Sequence, residues 1–163
     1  MATAGKDLSA YDINSIPNAK DMVFGIVVSE WNHHITGNLF EGAKQALIDN
    51  GALPENIHAY YVPGSFELPL GAQWLIEDKK VDGVVALGSV IQGETKHFDF
   101  VCEGVAQGCK DVMLKFGKPV IFGVLTDNTE QQAIDRSGGL HGNKGIECAI
   151  AAIKMIALKK QLS

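Results

Sequence analysis

Between Gly88 and His97 the chain reads GSVIQGETKH, an apolar run that breaks into glycine, acid, hydroxyl, lysine and imidazole. Gly88 and Gly93 have the G-x-x-x-x-G spacing of a phosphate loop, but Glu94 stands where that motif needs lysine, which excludes nucleoside triphosphate hydrolysis here. The physics beneath the motif survives. Gly93 lets the backbone turn tightly, and the amides of Glu94 and Thr95 at a helix N-terminus, with the Thr95 hydroxyl beside them, make an anion site. His97 follows two residues later, close enough to exchange a proton with an anchored ligand and with an ordinary pKa near neutrality. Plainer readings stand beside these: Thr95 as a helix cap, His97 as a solvated side chain of the first helical turn.

Other candidate groups occupy similar junctions. Trp31 in SEWNHH offers a flat face for stacking on a heteroaromatic ring, or simply for packing. Glu67 in PGSFEL can accept hydrogen bonds from sugar-like hydroxyls or serve as a first-turn acid. Arg136, ending TEQQAIDR, reads as a phosphate fork or as a cation at a helix C-terminus. Lys144 in GGLHGNKG meets an anion or carbonyl, or water. His33, His34, His58 and His141 lack the spacing of a metal set. Cys102, Cys109 and Cys148 are odd in number without a C-x-x-C pair, which argues against both a disulfide framework and a zinc site and makes them small apolar side chains.

The elements that must position these groups alternate. Residues 22–29, 56–62, 81–91 and 119–126 read as buried strands, short and rich in β-branched residues. Between them, Ile35, Leu39, Ala43, Ala46 and Leu47 recur at helical spacing over 35–48, and Leu68, Ala72, Leu75 and Ile76 do so in a helix that follows Pro63-Gly64 and ends near Asp78. Further helices are expected over 98–116, 130–136 and 143–159, with 138–145 a loop and helix start. The alternation predicts an α/β fold in which a four-stranded parallel sheet is flanked by helices on both faces. Ligands of such sheets sit outside the carboxyl ends of the strands, here residues 29–33, 63–67, 89–97 and 126–128.

Composition narrows the function classes. A chain of 163 residues reads as one domain over 1–163, able to bury roughly 70% of its unfolded surface. Residues 1–21, polar and irregular with Pro17 and Asn18 at their end, read as a loose N-terminal arm. The net charge is −5 and the lysines are scattered, so no basic stripe exists for nucleic acid. Apolar runs are only strand length and residues 1–10 lack a signal pattern, which leaves no membrane span and predicts a cytoplasmic protein.

Trp31-Asn32, VPGSFELP (62–69), ALGSVIQGETKHFDFV (86–101), PVIFGVLT (119–126), QAIDRSGG (132–139) and GNKG (142–145) stand in an order and spacing that resembles the lumazine synthase family, which catalyses the penultimate step of riboflavin biosynthesis. The likeness runs from about Met22 to Met155. It implies a flavodoxin-like three-layer sandwich, a homopentamer or a multiple of it, and active sites between adjacent subunits. The implied reaction condenses 5-amino-6-(D-ribitylamino)uracil with 3,4-dihydroxy-2-butanone 4-phosphate to 6,7-dimethyl-8-ribityllumazine, releasing phosphate and water, with no cofactor and no metal. Riboflavin synthase is the further partner implied.

Carried over by position, the resemblance assigns Trp31 and Asn32 to the pyrimidine side and Ser65, Phe66 and Glu67 to the ribityl chain. Ser89, Val90 and Ile91 take the uracil edge, Phe122 the other side of the pocket, and Lys144 joins the same substrate's site. Gly93, Glu94, Thr95 and Arg136 fall to the butanone phosphate, and His97 to proton transfer. Two positions depart from the pattern: Gln92 stands where arginine is frequent and Leu140 where lysine is, which concentrates the expected phosphate contact on Arg136. The short loop 138–142 permits a larger shell. Competing classes are a flavin- or lumazine-binding scaffold without turnover, and an electron-transfer flavodoxin. SEWNHHITGN is poor in the hydroxyls that the latter needs after its first strand.

Overall fold

A computed structural model describes residues 7–163. Four strands, β1 (Phe24–Ser29), β2 (Ile57–Val62), β3 (Gly83–Ile91) and β4 (Val120–Asp127), form one parallel sheet in the order β2-β1-β3-β4. Helices α1 (His33–Asp49), α2 (Leu68–Asp78) and α3 (His97–Phe116) make the crossovers, and α4 (Glu130–Arg136) and α5 (Lys144–Gln161) follow β4. The central strands β1 and β3 are buried on both faces, which is why they read as continuous apolar runs.

Strand alternation divides the core in two. Phe24, Ile26, Val28, Val85, Leu87 and Leu125 point to the face covered by α1 and α5, where they meet Ile35, Leu39, Ala149 and Ile153. Val27, Val84, Ala86 and Val124 point to the other face, against Leu68, Leu75, Val105 and Cys109. Cys109 and Cys148 are buried free thiols, their pKa pushed up to about 12 by desolvation; Cys102 is half-buried.

The expected helix–sheet order holds, with three corrections. Residues 138–145 are not simply loop: Ser137–Gly139 (β5) and Gly142–Asn143 (β6) pair as a small antiparallel hairpin that feeds α5. Strands so short and so rich in glycine carry no alternation to read. The second concerns the arm. Its first six residues lie outside the described chain, but from Asp7 onward it is not loose. Tyr11 and Ile16 pack on the α1/α5 core, Ala19 is fully buried, Asn50 Nδ2 donates to the Tyr11 hydroxyl at 3.0 Å, and Ala19 N donates to Asn50 O at 2.9 Å. The third is conformational: Gly93 does not have the positive φ that would reserve its place for glycine, and a Cβ there would meet nothing within 4 Å.

Glycine is required where α5 starts. A Cβ on Gly145 would collide with the Leu39 carbonyl oxygen of α1, so the two helices touch backbone to backbone. Asn143, the cap of α5, accepts from Gly145 N at 2.8 Å through Oδ1 and donates Nδ2 to Asn38 O at 2.9 Å, which locks that approach. Gly145→Ala is therefore expected to destabilise the protein by about 1–3 kcal/mol through overpacking. Thermal melting checks it, and an unchanged midpoint would mean that α1 and α5 separate freely.

Candidate active site

A cavity of about 610 Å³ opens at the carboxyl ends of β1 and β3. Trp31 and Asn32 line it from the β1–α1 turn, Gly64 to Glu67 from the turn before α2, Ser89 to Ile91 from the end of β3, and His97, Phe100 and Val101 from the first turns of α3. Nine of the residues predicted from sequence thus converge: Trp31, Asn32, Ser65, Phe66, Glu67, Ser89, Val90, Ile91 and His97.

The sheet register creates this space. β1 pairs with β3 only as far as Val28 opposite Leu87, whereas β3 continues alongside β4 to Ile91 opposite Asp127. The last residues of β3 therefore have a strand on one side only. Gln92 N donates to Asp127 O at 2.9 Å, on the β4 side. By strand alternation Ile91 turns its own N–H and C=O the other way, towards the open side. An unpaired strand edge recognises a flat heterocycle bearing adjacent donors and acceptors, as it would another strand.

Local chemistry fixes the walls. Asn32 adopts the left-handed conformation (φ 55°, ψ 47°), which a short amide side chain tolerates. Instead of capping α1, its Nδ2 donates to Ser89 O at 3.0 Å and ties the β1 turn to the β3 end. Gly64 sits between Trp31 and Glu67: a Cβ there would stand 3.6 Å from the indole Cδ1 and 3.0 Å from Glu67 Oε2. Gly64, Phe100 and Val101 were not among the predicted residues. Phe100 was findable, because it lies three residues after His97 on the same helical face.

The anion turn is looser than expected. Glu94 and Thr95 precede α3 rather than open it, since the helix begins at His97 with Lys96 at its N-cap. Thr95 Oγ1 accepts from His97 N at 3.4 Å, so Thr95 does act on the helix end. Gly93, Glu94 and Thr95 are exposed and bridge Ile91 and His97 without lining the cavity themselves.

Phe122, Arg136 and Lys144 do not line it either. Phe122 is half-buried on the edge strand β4, packed towards α2 and α3. Arg136 closes α4, a helix set by a capping box in which Thr129 Oγ1 accepts from Gln132 N at 3.3 Å and Gln132 Oε1 accepts from Thr129 N at 3.2 Å. On α5, Glu147 accepts from Arg136 Nη2 at 3.2 Å and from Lys144 Nζ at 3.0 Å. One carboxylate thus gathers two cations, and the cluster has its own polarity: burial raises the pKa of nearby Asp127, while the Arg136 guanidinium lowers it.

Among the described residues no three His, Cys, Asp or Glu side chains converge to hold a metal ion, and no helix is long and apolar enough to cross a membrane.

The family model for 6,7-dimethyl-8-ribityllumazine synthase matches residues 21–160. The chain is 62% identical over 161 residues to the 6,7-dimethyl-8-ribityllumazine synthase of Flavobacterium psychrophilum, covering 99% of this chain and 85% of that one. It is 61% identical over 163 residues to the synthase of Flavobacterium johnsoniae, with 100% and 86% covered, and 55% identical over 162 residues to that of Phocaeicola vulgatus, with 99% and 96% covered. Matched along nearly its whole length, the chain belongs to the 6,7-dimethyl-8-ribityllumazine synthase family.

Proposed function

We propose that the chain works as a single lumazine synthase domain whose cavity binds 5-amino-6-(D-ribitylamino)uracil, and that Phe122, Lys144 and Arg136 reach that cavity from an adjacent copy of the chain. The observation that carries this reading is the division of the predicted residues: nine of the fifteen line one cavity and Gly93 to Thr95 border it, while Phe122, Lys144 and Arg136 lie elsewhere on the same chain. The cavity is also one-sided. Trp31, Phe66 and Phe100 around it are 73%, 60% and 69% exposed, an apolar surface that a second copy would cover. A homopentamer or a multiple of it satisfies this, because a head-to-tail contact repeated around a ring gives each cavity one neighbour.

Within that site the indole of Trp31 stacks on the pyrimidine, the β3 edge from Ser89 to Ile91 meets the uracil edge, and the Glu67 carboxylate accepts from ribityl hydroxyls. The butanone phosphate lies at the turn Gly93 to Thr95, against the neighbour's Arg136, whose planar fork suits a phosphate. Holding the ring amine and the ketone together makes their condensation effectively intramolecular. His97 moves protons during imine formation and phosphate loss.

Positioning is then the larger share of catalysis. His97→Ala is expected to lower kcat by about 10²-fold, the low end for a lost proton-transfer group. Complete loss of turnover in an intact oligomer would assign His97 more than assistance. Arg136→Ala should raise the KM for butanone phosphate by about 10–100-fold, the loss of a charge-assisted contact.

The shared site has a sharper test. At butanone phosphate concentrations well below the KM of Arg136→Ala, oligomers refolded from equal parts of His97→Ala and Arg136→Ala subunits should regain about a quarter of wild-type turnover, since random assortment completes that share of sites when the two residues come from different subunits. Mixtures no more active than their parents would put His97 and Arg136 in the same chain's site.

A further inference from the structure

The turn Ser65–Glu67, which carries Phe66 and Glu67 into the cavity, is seated by packing. No side-chain hydrogen bond caps it, and Glu67 N reaches Gly64 O only at 3.3 Å. Glycines on two sides let it sink into the fold instead. On the sheet side, a Cβ at Gly88 of β3 would stand 2.5 Å from Ser65 Oγ and 3.0 Å from Leu68 Cδ1. On the helix side, a Cβ at Gly104 of α3 would stand 2.5 Å from Phe66 Cε2, and one at Gly108, a turn later, 2.7 Å from Pro69 Cγ. Phe66 and Pro69 therefore rest directly on the backbone of α3.

Gly104 is not there for its own conformation. Its φ is not positive, and inside a helix glycine is less favourable than alanine. The chain uses the space that glycine leaves. His97, Val101, Gly104 and Gly108 recur at helical spacing along one face of α3. His97 and Val101 line the cavity, and Gly104 and Gly108 seat the segment from Phe66 to Pro69. One helix face thus fixes where the imidazole stands relative to the Glu67 carboxylate.

We propose that Gly104 is a positioning residue for the ribityl subsite: it sets the depth at which Phe66 lies on α3, and through Phe66 the place of Glu67. The inference rests on the reading of Ser65 to Glu67 as the turn that holds the ribityl chain. A methyl group at 104 would compete with the far edge of the Phe66 ring, and that ring is 60% exposed, so it can lift off α3 while the fold stays intact. Lifting it shifts the adjacent Glu67. Pro69 has no such freedom, because its rigid ring belongs to the first turn of α2. Position 104 therefore governs placement of the turn, whereas position 108 bears on stability.

The test compares wild type with Gly104→Ala, Phe66→Leu, the double variant Gly104→Ala/Phe66→Leu, and Glu67→Ala. The readouts are kcat, the KM for each substrate and the thermal midpoint. Gly104→Ala should raise the KM for ribitylaminouracil by about 10-fold, the scale of a binding group displaced by a fraction of an ångström to an ångström. The KM for butanone phosphate should stay where it is, and the midpoint should not fall, since alanine favours the helix. Leucine ends short of the Cε2 atom that meets position 104, so the double variant should have the same KM as Phe66→Leu alone. An equal rise from Gly104→Ala in both backgrounds would show that Phe66 does not transmit the effect, and would overturn the proposal. So would a lowered midpoint with both KM values moving together, the mark of a merely structural glycine, or an unchanged KM in Gly104→Ala while Glu67→Ala raises it. If Glu67→Ala itself leaves the KM for ribitylaminouracil at the wild-type value, the reading of the turn as the ribityl subsite fails, and the proposal with it.

Discussion

Parallel pairing of unequal strands is the constraint on which the site depends. All four strands run the same way, so every carboxyl end opens on one edge of the sheet. β1 gives out at Ser29, however, while β3 continues to Ile91 with only β4 beside it. That overrun leaves a length of backbone edge without a strand partner in a place where the turn before α2 and the first turns of α3 already supply walls. Asn32 keeps the gap from closing or drifting, because its amide holds the Ser89 carbonyl while its own backbone turns into α1. A longer β1 would fill the cavity with hydrogen bonds to β3 and remove the recognition surface.

Much of this was legible in the sequence because burial on both faces of a parallel strand leaves a continuous apolar run. The same signal overreaches at the strand starts. Met22 and Val81 are buried and apolar, yet both precede the ladder. Strand ends fared better, since glycine, proline and acid arrive at once. α1 begins at His33, two residues before its first apolar position, because a left-handed Asn32 starts the helix without the usual hydroxyl or carboxylate cap. The β5–β6 hairpin had no side-chain alternation to betray it. The packing of residues 7–21 was hidden for another reason: its anchors, Tyr11, Ile16 and Ala19, are too few and irregular to form a period.

For the candidate site, residue types were readable and placement was only partly so. Trp31, Glu67 and His97 follow strand ends or breaks, so the topology rule brings them together in one chain. Phe122 sits in mid-strand, and Arg136 and Lys144 flank the hairpin; no rule about strand ends gathers these three. Residue type made Arg136 and Lys144 candidates and the resemblance to a family added Phe122, but local physics could not say to which copy's cavity they belong. Gly93 is instructive in the other direction. Its spacing suggested a tight turn eased by glycine, whereas its backbone has an ordinary φ and open space around it. On the shared-site reading, that space is where a phosphate approaches the main chain.

Assembly and chemistry then become one physical problem. The exposed indole and phenyl rings that would stack on or enclose a heterocycle are also the apolar surface that a neighbouring copy would cover. Arg136 meets the opposite requirement. It must stay charged and oriented on its own chain before any partner or ligand reaches it, and burial makes that unfavourable unless carboxylates attend it. Glu147 does so directly, and it draws in Lys144 as well, so the cation pair is preassembled on α5 and the end of α4. Each copy would therefore bring an apolar half-site open to a partner and a charged half-site already compensated. On that reading the surface most prone to stick would be completed by the surface least prone to, which would favour a repeated head-to-tail contact over the face-to-face pairing of two apolar cavities.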